Sequence, residues 1–259
     1  LSLHDALPIY HKIYGDIKAN QNFETYNING DTRAFDILNS GEDSEDRRNI
    51  DNFFTCMAVC HSAYAEVKDG NLVYQSSSPD EVALLLGAEQ MGYQFTKKTT
   101  STIEIKNFFG EDEIYELLIE LPFDSDRKKM SVVVKITKDK TDQYILFTKG
   151  ADTGMLKSMT IDDAFRQRIQ RDLNLFAKQG LRTLVMSKKF ITHKEAEHYK
   201  KQIDEIQMTS DSDKELKLLN VYNEIESDLH YVGCSAIEDK LQDVSTLILN
   251  TITLKKTAF

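Results

Sequence analysis

Four stretches that follow one another between residues 101 and 149 most constrain what this chain can fold into. Residues 101–107, 113–121, 130–137 and 143–149 alternate in polarity or are rich in β-branched side chains, which suits a pleated, half-buried surface. The connections between them are too short for a parallel crossover, which takes about a dozen residues or more. The stretches are therefore expected to be neighbours in an antiparallel meander.

On either side of the meander the apolar spacing becomes helical. Ile50, Phe53, Phe54, Met57, Ala58 and His61 predict a helix over 50–64. Asp69-Gly70-Asn71 is a turn into a short strand over 72–75. Ser78-Pro79-Asp80-Glu81 opens a helix that runs to about Met91 and stops at Gly92. Phe165, Ile169, Leu173 and Phe176 share one face of a helix over 162–179, stopped by Gly180. A strand over 181–189, two charged helices over about 193–207 and 212–227, and a last strand over 231–237 complete the pattern. This is an α+β arrangement, an antiparallel β-sheet flanked by helices.

The chain is long enough, at 259 residues, for one large domain or two small ones. Its 42 acidic residues outnumber 32 basic ones, for a net charge of −10. Nucleic-acid binding is thereby disfavoured, since it needs a basic face, but a nucleotide needs only one local positive pocket. Three cysteines, an odd number spread over a long chain, suit a reducing compartment better than a disulfide framework. No apolar run approaches the roughly 18 residues that span a bilayer. Residues 1–9 lack the pattern of a signal peptide and are set aside as an artefact of the sequence. Residues 10–48, with Glu42, Asp43, Glu45 and Asp46 clustered near their end, read as a polar arm leading into the domain.

Four segments carry candidate chemistry. In the stretch Gln143 to Asp152 a β-favouring run ends at Lys149, followed by Gly150-Ala151-Asp152. Phosphate-bearing ligands are held by such a point charge with nearby backbone N–H groups, and glycine lets backbone approach closely. A solvated lysine before a glycine turn is the plain alternative. Ser78-Pro79-Asp80-Glu81 reads as a capping box; Glu81 can also serve as acceptor for an amino group such as that of adenine. The two roles are compatible. In Leu121 to Ser131, Phe123 offers a stacking face, Met130 can back the same ring, and Lys128 with its neighbouring cations can bias a rim toward phosphate. An ordinary hairpin with a solvated basic tip explains the same residues. Arg182, just past a helix stop, can fork onto phosphate or ribose oxygens or pair with a surface acid. Cys56, Cys60 and Cys234 lack the four-ligand spacing of a zinc site and read as core residues. No P-loop, dinucleotide turn, zinc-protease or serine-hydrolase signature occurs.

In this order the four segments are far more specific than any one alone. Ser-Pro-Asp-Glu, Phe-x-x-x-Arg-Lys-x-Met-Ser-Val, Lys-Gly-Ala-Asp and Gly-Leu-Arg-Thr-Leu together resemble the nucleotide-binding domain of P-type ATPases. Ser78-Pro79-Asp80-Glu81 and Gly150-Ala151-Asp152 resemble the phospholipid-flippase subfamily. The resemblance runs from Tyr14-Gly15 to Gln242-Asp243 and implies a nucleotide-binding domain over 49–229. Residues 230–243, with Tyr231-Val232-Gly233 and Ala236-Ile237-Glu238-Asp239-Lys240-Leu241, resemble the return strand toward that family's phosphorylation domain. Residues 244–259 depart from the family and read as a divergent tail, non-native or frame-shifted.

The resemblance implies ATP as ligand, with Phe123 stacked on adenine backed by Met130, Glu81 at its amino edge, Lys149 deep in the pocket, and Arg182 and Lys128 toward the phosphates. It implies Mg2+ with ligands mainly outside this chain. The implied partners are the phosphorylation and actuator domains of the same parent chain, phospholipid through membrane helices absent here, and an accessory subunit. The family's Asp-Lys-Thr-Gly-Thr phosphorylation sequence and its magnesium-site sequences are absent, so the chain reads as a fragment that binds ATP without hydrolysing it. The parent would be a multi-pass ATP-driven phospholipid translocase, with this domain on the cytoplasmic face of the membrane. The other reading is a soluble interaction module that kept the fold and lost the nucleotide.

Overall fold

A computed structural model describes residues 9–10, 33–210, 212–238 and 249–254. Residues 1–8, segment 11–32 of the polar arm, and 239–248 (including the start of the divergent tail) lie outside the described residues. Most of residues 33–48 of the arm is helical: α1 spans Arg33–Ser40, and α2, Glu45–Val59, begins inside the acidic cluster. Ser44 caps α2 by accepting from the Arg47 amide at 3.1 Å. Glu45 and Asp46 lie in its first turn, where carboxylates complement the helix dipole. The acidic cluster is thus a helix start. At the other end α2 stops at Val59 instead of reaching residue 64, because Cys60 leaves helical backbone. The chain then enters β2 (Tyr64–Lys68), which pairs with β3 (Asn71–Gln75) as a separate ribbon. Asp69 and Gly70, both at positive φ, close that hairpin.

After α3 (Pro79–Gln90) comes β4 (Gln94–Lys98), a strand whose polar sequence gave no signal. The meander follows as expected: β5 (Thr102–Lys106), β6 (Asp112–Asp124), β7 (Lys129–Lys138) and β8 (Thr141–Gly150), all antiparallel. Two short turns, α4 (Asp152–Met155) and a 3-10 segment Leu156–Ser158, lead to α5 (Asp163–Lys178). Then come β9 (Leu181–Ile191), the helix pair α6 (His193–Met208) and α7 (Lys214–Ile225), and β10 (His230–Glu238). Short strands β1 (Ile9–Tyr10) and β11 (Leu249–Leu254) extend the edge, so the order is β1-β11-β10-β9-β8-β7-β6-β5-β4.

Helices cover both faces of this sheet, and the period of two along each strand divides the core between them. On one face Val132, Val134 and Phe147 pack with Phe54 and Met57 of α2 and Leu84 of α3. On the other Val133, Leu146 and Val185 pack with Phe176 of α5, Ile203 of α6 and Val221 of α7. Each such side chain, fully buried, contributes about 1.5–3 kcal/mol. This two-sided burial explains why Val132, Val133 and Val134 follow one another in β7.

Candidate functional site

The predicted site residues gather at one end of the strands, where β6 and β8 finish and β7 and β9 begin. Lys149 lies cross-strand from Met130 on β7 and from Met186 on β9, so its side chain points to the α2–α3 face. Its ammonium lies 2.9 Å from Oε1 of Glu81, and the two side chains are only 6% and 8% exposed. The Glu81 carboxylate also accepts from the Ser62 amide at 3.2 Å, the Ser62 hydroxyl at 2.8 Å and the Ser76 hydroxyl at 2.7 Å. Burial pushes this carboxyl up, but Lys149 and the hydroxyl donors outweigh burial and hold it at about 2.

These contacts correct the capping-box expectation for α3. Ser78 is the N-cap and Pro79 opens the helix, yet the Ser78 side chain makes no capping hydrogen bond. The box fails because Glu81 has better partners than the end of its own helix: a buried ammonium and two serines. A true box sits instead at α6, where Thr192 and Glu195 exchange both bonds.

Beside this pair His61 is fully buried. Its Nε2 lies 2.9 Å from the Ala58 carbonyl, and its Nδ1 accepts from the Ala63 amide at 3.2 Å. Burial, with Lys149 and Lys98 close by, pushes its pKa down to about 3, so it is neutral. Lys98 donates to the His61 carbonyl at 2.8 Å and to Glu120 at 3.1 Å.

Phe123 is placed by an irregularity in the sheet. The β6–β7 register shifts between Leu121 and Asp124, so Pro122 and Phe123 drop out of the ladder. The ring is 66% exposed. Asp124 then organises the turn by accepting from the Asp126 amide at 2.9 Å and the Arg127 amide at 2.8 Å. Lys128 takes positive φ and is exposed, while Arg127 and Lys129 on either side are buried. Of the three cations expected at the rim, only Lys128 is there. The other two turn inward to Glu226, 99 residues beyond Arg127, a partner that local sequence does not reveal. Met130 is buried beneath the turn, next to Lys149.

Gly150 serves close backbone approach, but to the chain itself. A Cβ there would lie 2.5 Å from the Lys128 carbonyl oxygen and 2.6 Å from Lys129 Cβ. Gly154 repeats the constraint, with a Cβ 2.5 Å from the Arg127 carbonyl oxygen. The Ala151 amide donates to the Lys128 carbonyl at 2.9 Å. Residues 150–154 therefore form a cradle against which the Phe123–Lys128 turn rests. Gly154 drew no attention in the sequence, although its spacing from Gly150 was visible.

Arg182, near the start of β9, is exposed and lies 3.0 Å from Asp80. Adjacent acids at the start of α3 thus engage two different strands: Asp80 meets Arg182, and Glu81 meets Lys149. The cysteines are core residues. Cys60 Sγ lies 3.6 Å from the carbonyl oxygens of Met130 and Phe147, and burial pushes the Cys56 thiol well up. Among the described residues no group of three or more His, Cys, Asp or Glu could hold a metal ion. A groove of about 690 Å³ among Arg47, Asp51, Tyr93, Phe109 and Lys138 opens at the opposite end of β7 and β8 and contains none of the six predicted residues.

The arrangement can stack a planar ring on Phe123 and attract an anion through Lys128, Lys149 and Arg182. Comparison with known proteins identifies the family. Residues 49–243 match the family model described as P-type ATPase, cytoplasmic domain N. The chain is 37% identical over 221 residues to phospholipid-transporting ATPase IC of Xenopus tropicalis, covering 85% of this chain and 17% of that protein. It is 38% identical over 206 residues to the protein of the same name in Homo sapiens, covering 80% and 16%. With phospholipid-transporting ATPase C887.12 of Schizosaccharomyces pombe it shares 33% identity over 236 residues, covering 89% and 18%. The chain spans less than a fifth of the length of these curated relatives. It belongs to the family of P-type ATPase cytoplasmic domains N.

Proposed function

We propose that the chain binds ATP at this end of the sheet and presents it to an aspartate in a neighbouring domain of its parent protein. The observation that carries the reading is the pairing of an exposed aromatic ring, Phe123, with a buried ammonium, Lys149, at one strand end. Phe123 stacks on adenine with Met130 beneath it. Glu81, ionised and rich in acceptor positions, meets the adenine amino group, and Lys149 lies deepest. Lys128 and Arg182 face the phosphates. His61 is buried and neutral, and burial pushes the Cys56 thiol well up, so the reading gives neither a part in the chemistry. Phosphoryl transfer depends mostly on positioning and charge stabilisation, so a domain that only binds can still be essential. Mg2+ travels with the nucleotide and draws its protein ligands mainly from outside this chain.

The relatives are named phospholipid-transporting ATPases, which supports a phospholipid-transporting ATPase as parent; movement toward the cytoplasmic leaflet, with this domain on the cytoplasmic side, is part of the proposal. Among the described residues no helix is long and apolar enough to cross a membrane. Titration with ATP while following backbone amide resonances tests the binding step. Shifts clustered at Phe123, Lys149 and Arg182 support it. A spectrum unchanged at millimolar ATP would leave a docking module that has lost its nucleotide.

A further inference from the structure

A second buried ionic cluster lies at the same strand end, on the opposite face from Lys149. Glu226, which caps the C-terminus of α7, is wholly buried. Its Oε1 accepts from Arg127 Nη1 at 2.5 Å and from the Ser131 hydroxyl at 2.6 Å, and its Oε2 lies 3.4 Å from Lys129 Nζ. The Arg127 and Lys129 side chains are 2% and 4% exposed. Arg127 also donates to the Pro122 carbonyl at 2.5 Å, and its guanidinium sits 5.0 Å from the centre of the Tyr222 ring. Lys129 donates to the Ser158 hydroxyl at 2.8 Å.

These contacts bracket the turn that carries the candidate ligand contacts. Arg127 and Lys129 flank Lys128, so holding both turns inward fixes Lys128 outward in its left-handed backbone. The Arg127 bond to Pro122 pins the bulge from which Phe123 projects. A buried cation is held only where it is paired, and here one carboxylate serves two. We propose that Glu226 is a positioning residue for the nucleotide site: through Arg127 and Lys129 it fixes the turn that presents Phe123 and Lys128. The inference rests on the ATP reading for its consequence, though not for its geometry.

The test compares Glu226→Gln with the parent chain, with a Glu226→Gln/Lys129→Gln double variant that keeps the cluster at one net positive charge. Two readouts are taken. Without nucleotide, hydrogen exchange at the Lys128 and Ala151 amides should accelerate at least tenfold while exchange at Leu146 and Val185 is unchanged. With ATP, affinity should fall about five- to tenfold, and the ATP-induced shift at the Lys128 amide should shrink while that at Lys149 persists. In a Phe123→Ala background the change at Glu226 should have little further effect, whereas with Arg182→Ala the two losses should multiply. Unchanged exchange at the turn, or full ATP affinity in a folded variant, overturns the inference and leaves the ATP reading standing. A parent chain that ignores ATP overturns that reading, and the exchange measurement still decides whether Glu226 holds the turn.

Discussion

Lys149 and Glu81 lie 68 residues apart in the chain and form an ion pair of 2.9 Å in which both side chains are almost wholly buried. The pair ties the last turn of β8 to the first turn of α3. Removing one partner strands the other charge, which typically costs about 3–5 kcal/mol. Lys149→Met and Glu81→Gln are therefore each expected to lower stability by roughly 3 kcal/mol in urea denaturation. Their combination should cost clearly less than the sum, because no unpaired charge remains. Strict additivity in that cycle would show that the pair is not energetically coupled.

Acid stability should fall in two steps with different owners. His61 has a folded pKa of about 3 against an ordinary 6.5, so between these values the unfolded chain binds a proton that the folded chain refuses. Its contribution is fully present above pH 6.5 and is lost as pH falls from there toward 3. Glu81, at about 2 against an ordinary 4.5, contributes stability that is present above 4.5 and lost as pH falls through 2. Unfolding free energy measured from pH 7 to pH 5 should thus decline chiefly through His61. His61→Gln should flatten that limb and leave the steeper loss below pH 4.5.

The two glycines that follow the strand and helix ends should respond oppositely to intuition. Gly180 has φ +75 and nothing within 4 Å of a Cβ, so Gly180→Ala bears only the left-handed backbone penalty of about 1 kcal/mol. Gly150 has ordinary backbone, but its Cβ would press into the Lys128 carbonyl and Lys129. Backbone on both sides must shift, so Gly150→Ala should cost about 2–3 kcal/mol and displace the Phe123–Lys128 turn. Thermal melts rank the two directly, and a Gly180→Ala variant less stable than Gly150→Ala would contradict the cradle.

The meander was legible because its signal is local: alternation, β-branching and short connections fix neighbouring antiparallel strands. The face of α5 and the two ends of α3 were legible for the same reason. β2 and β4 were not, since Tyr64 and Val67 of β2 are exposed and Gln94–Lys98 is mostly polar, so both owe their strands to pairing partners. At the site, motif order singles out Lys149, Phe123 and Arg182, and the strand register puts the three toward one end of the sheet. What could not be read was which cation goes where. Arg127, Lys128 and Lys129 are alike in sequence, and their separation into two buried and one exposed depends on Glu226, contributed by a distant helix end. The fate of Glu81 was hidden in the same way: Ser62, Ser76 and Lys149, not its own helix, claim its carboxylate.

Asp80 sets a competitor beside the proposed anion site. Its carboxylate lies 3.0 Å from the exposed Arg182 guanidinium, a surface pair of the kind worth about 0–1 kcal/mol. Asp80→Asn should change stability by less than about 1 kcal/mol. It should also remove a negative charge from the rim and tighten ATP binding by a few fold at low salt, an effect that fades as screening increases. Isothermal titration at two ionic strengths checks this. Weaker ATP binding by the Asp80→Asn variant would mean that Asp80 orients Arg182 and does not compete for it.

Phe123 separates binding from folding most cleanly. The ring projects from a register shift in the β6–β7 ladder and is 66% exposed, so little apolar area is lost from the core when it is truncated. Phe123→Ala should leave the unfolding free energy within about 0.5 kcal/mol of the parent. Stacking of a base on an aromatic ring is worth about 1–3 kcal/mol by alanine substitution, so ATP affinity should fall by roughly five- to a hundredfold. Phe123→Tyr or Phe123→Trp keeps a flat face and should retain most of the affinity. Because the loss belongs to the base, inorganic triphosphate should bind parent and Phe123→Ala alike. Equal losses for ATP and triphosphate would assign the ring to shaping the turn instead of receiving adenine.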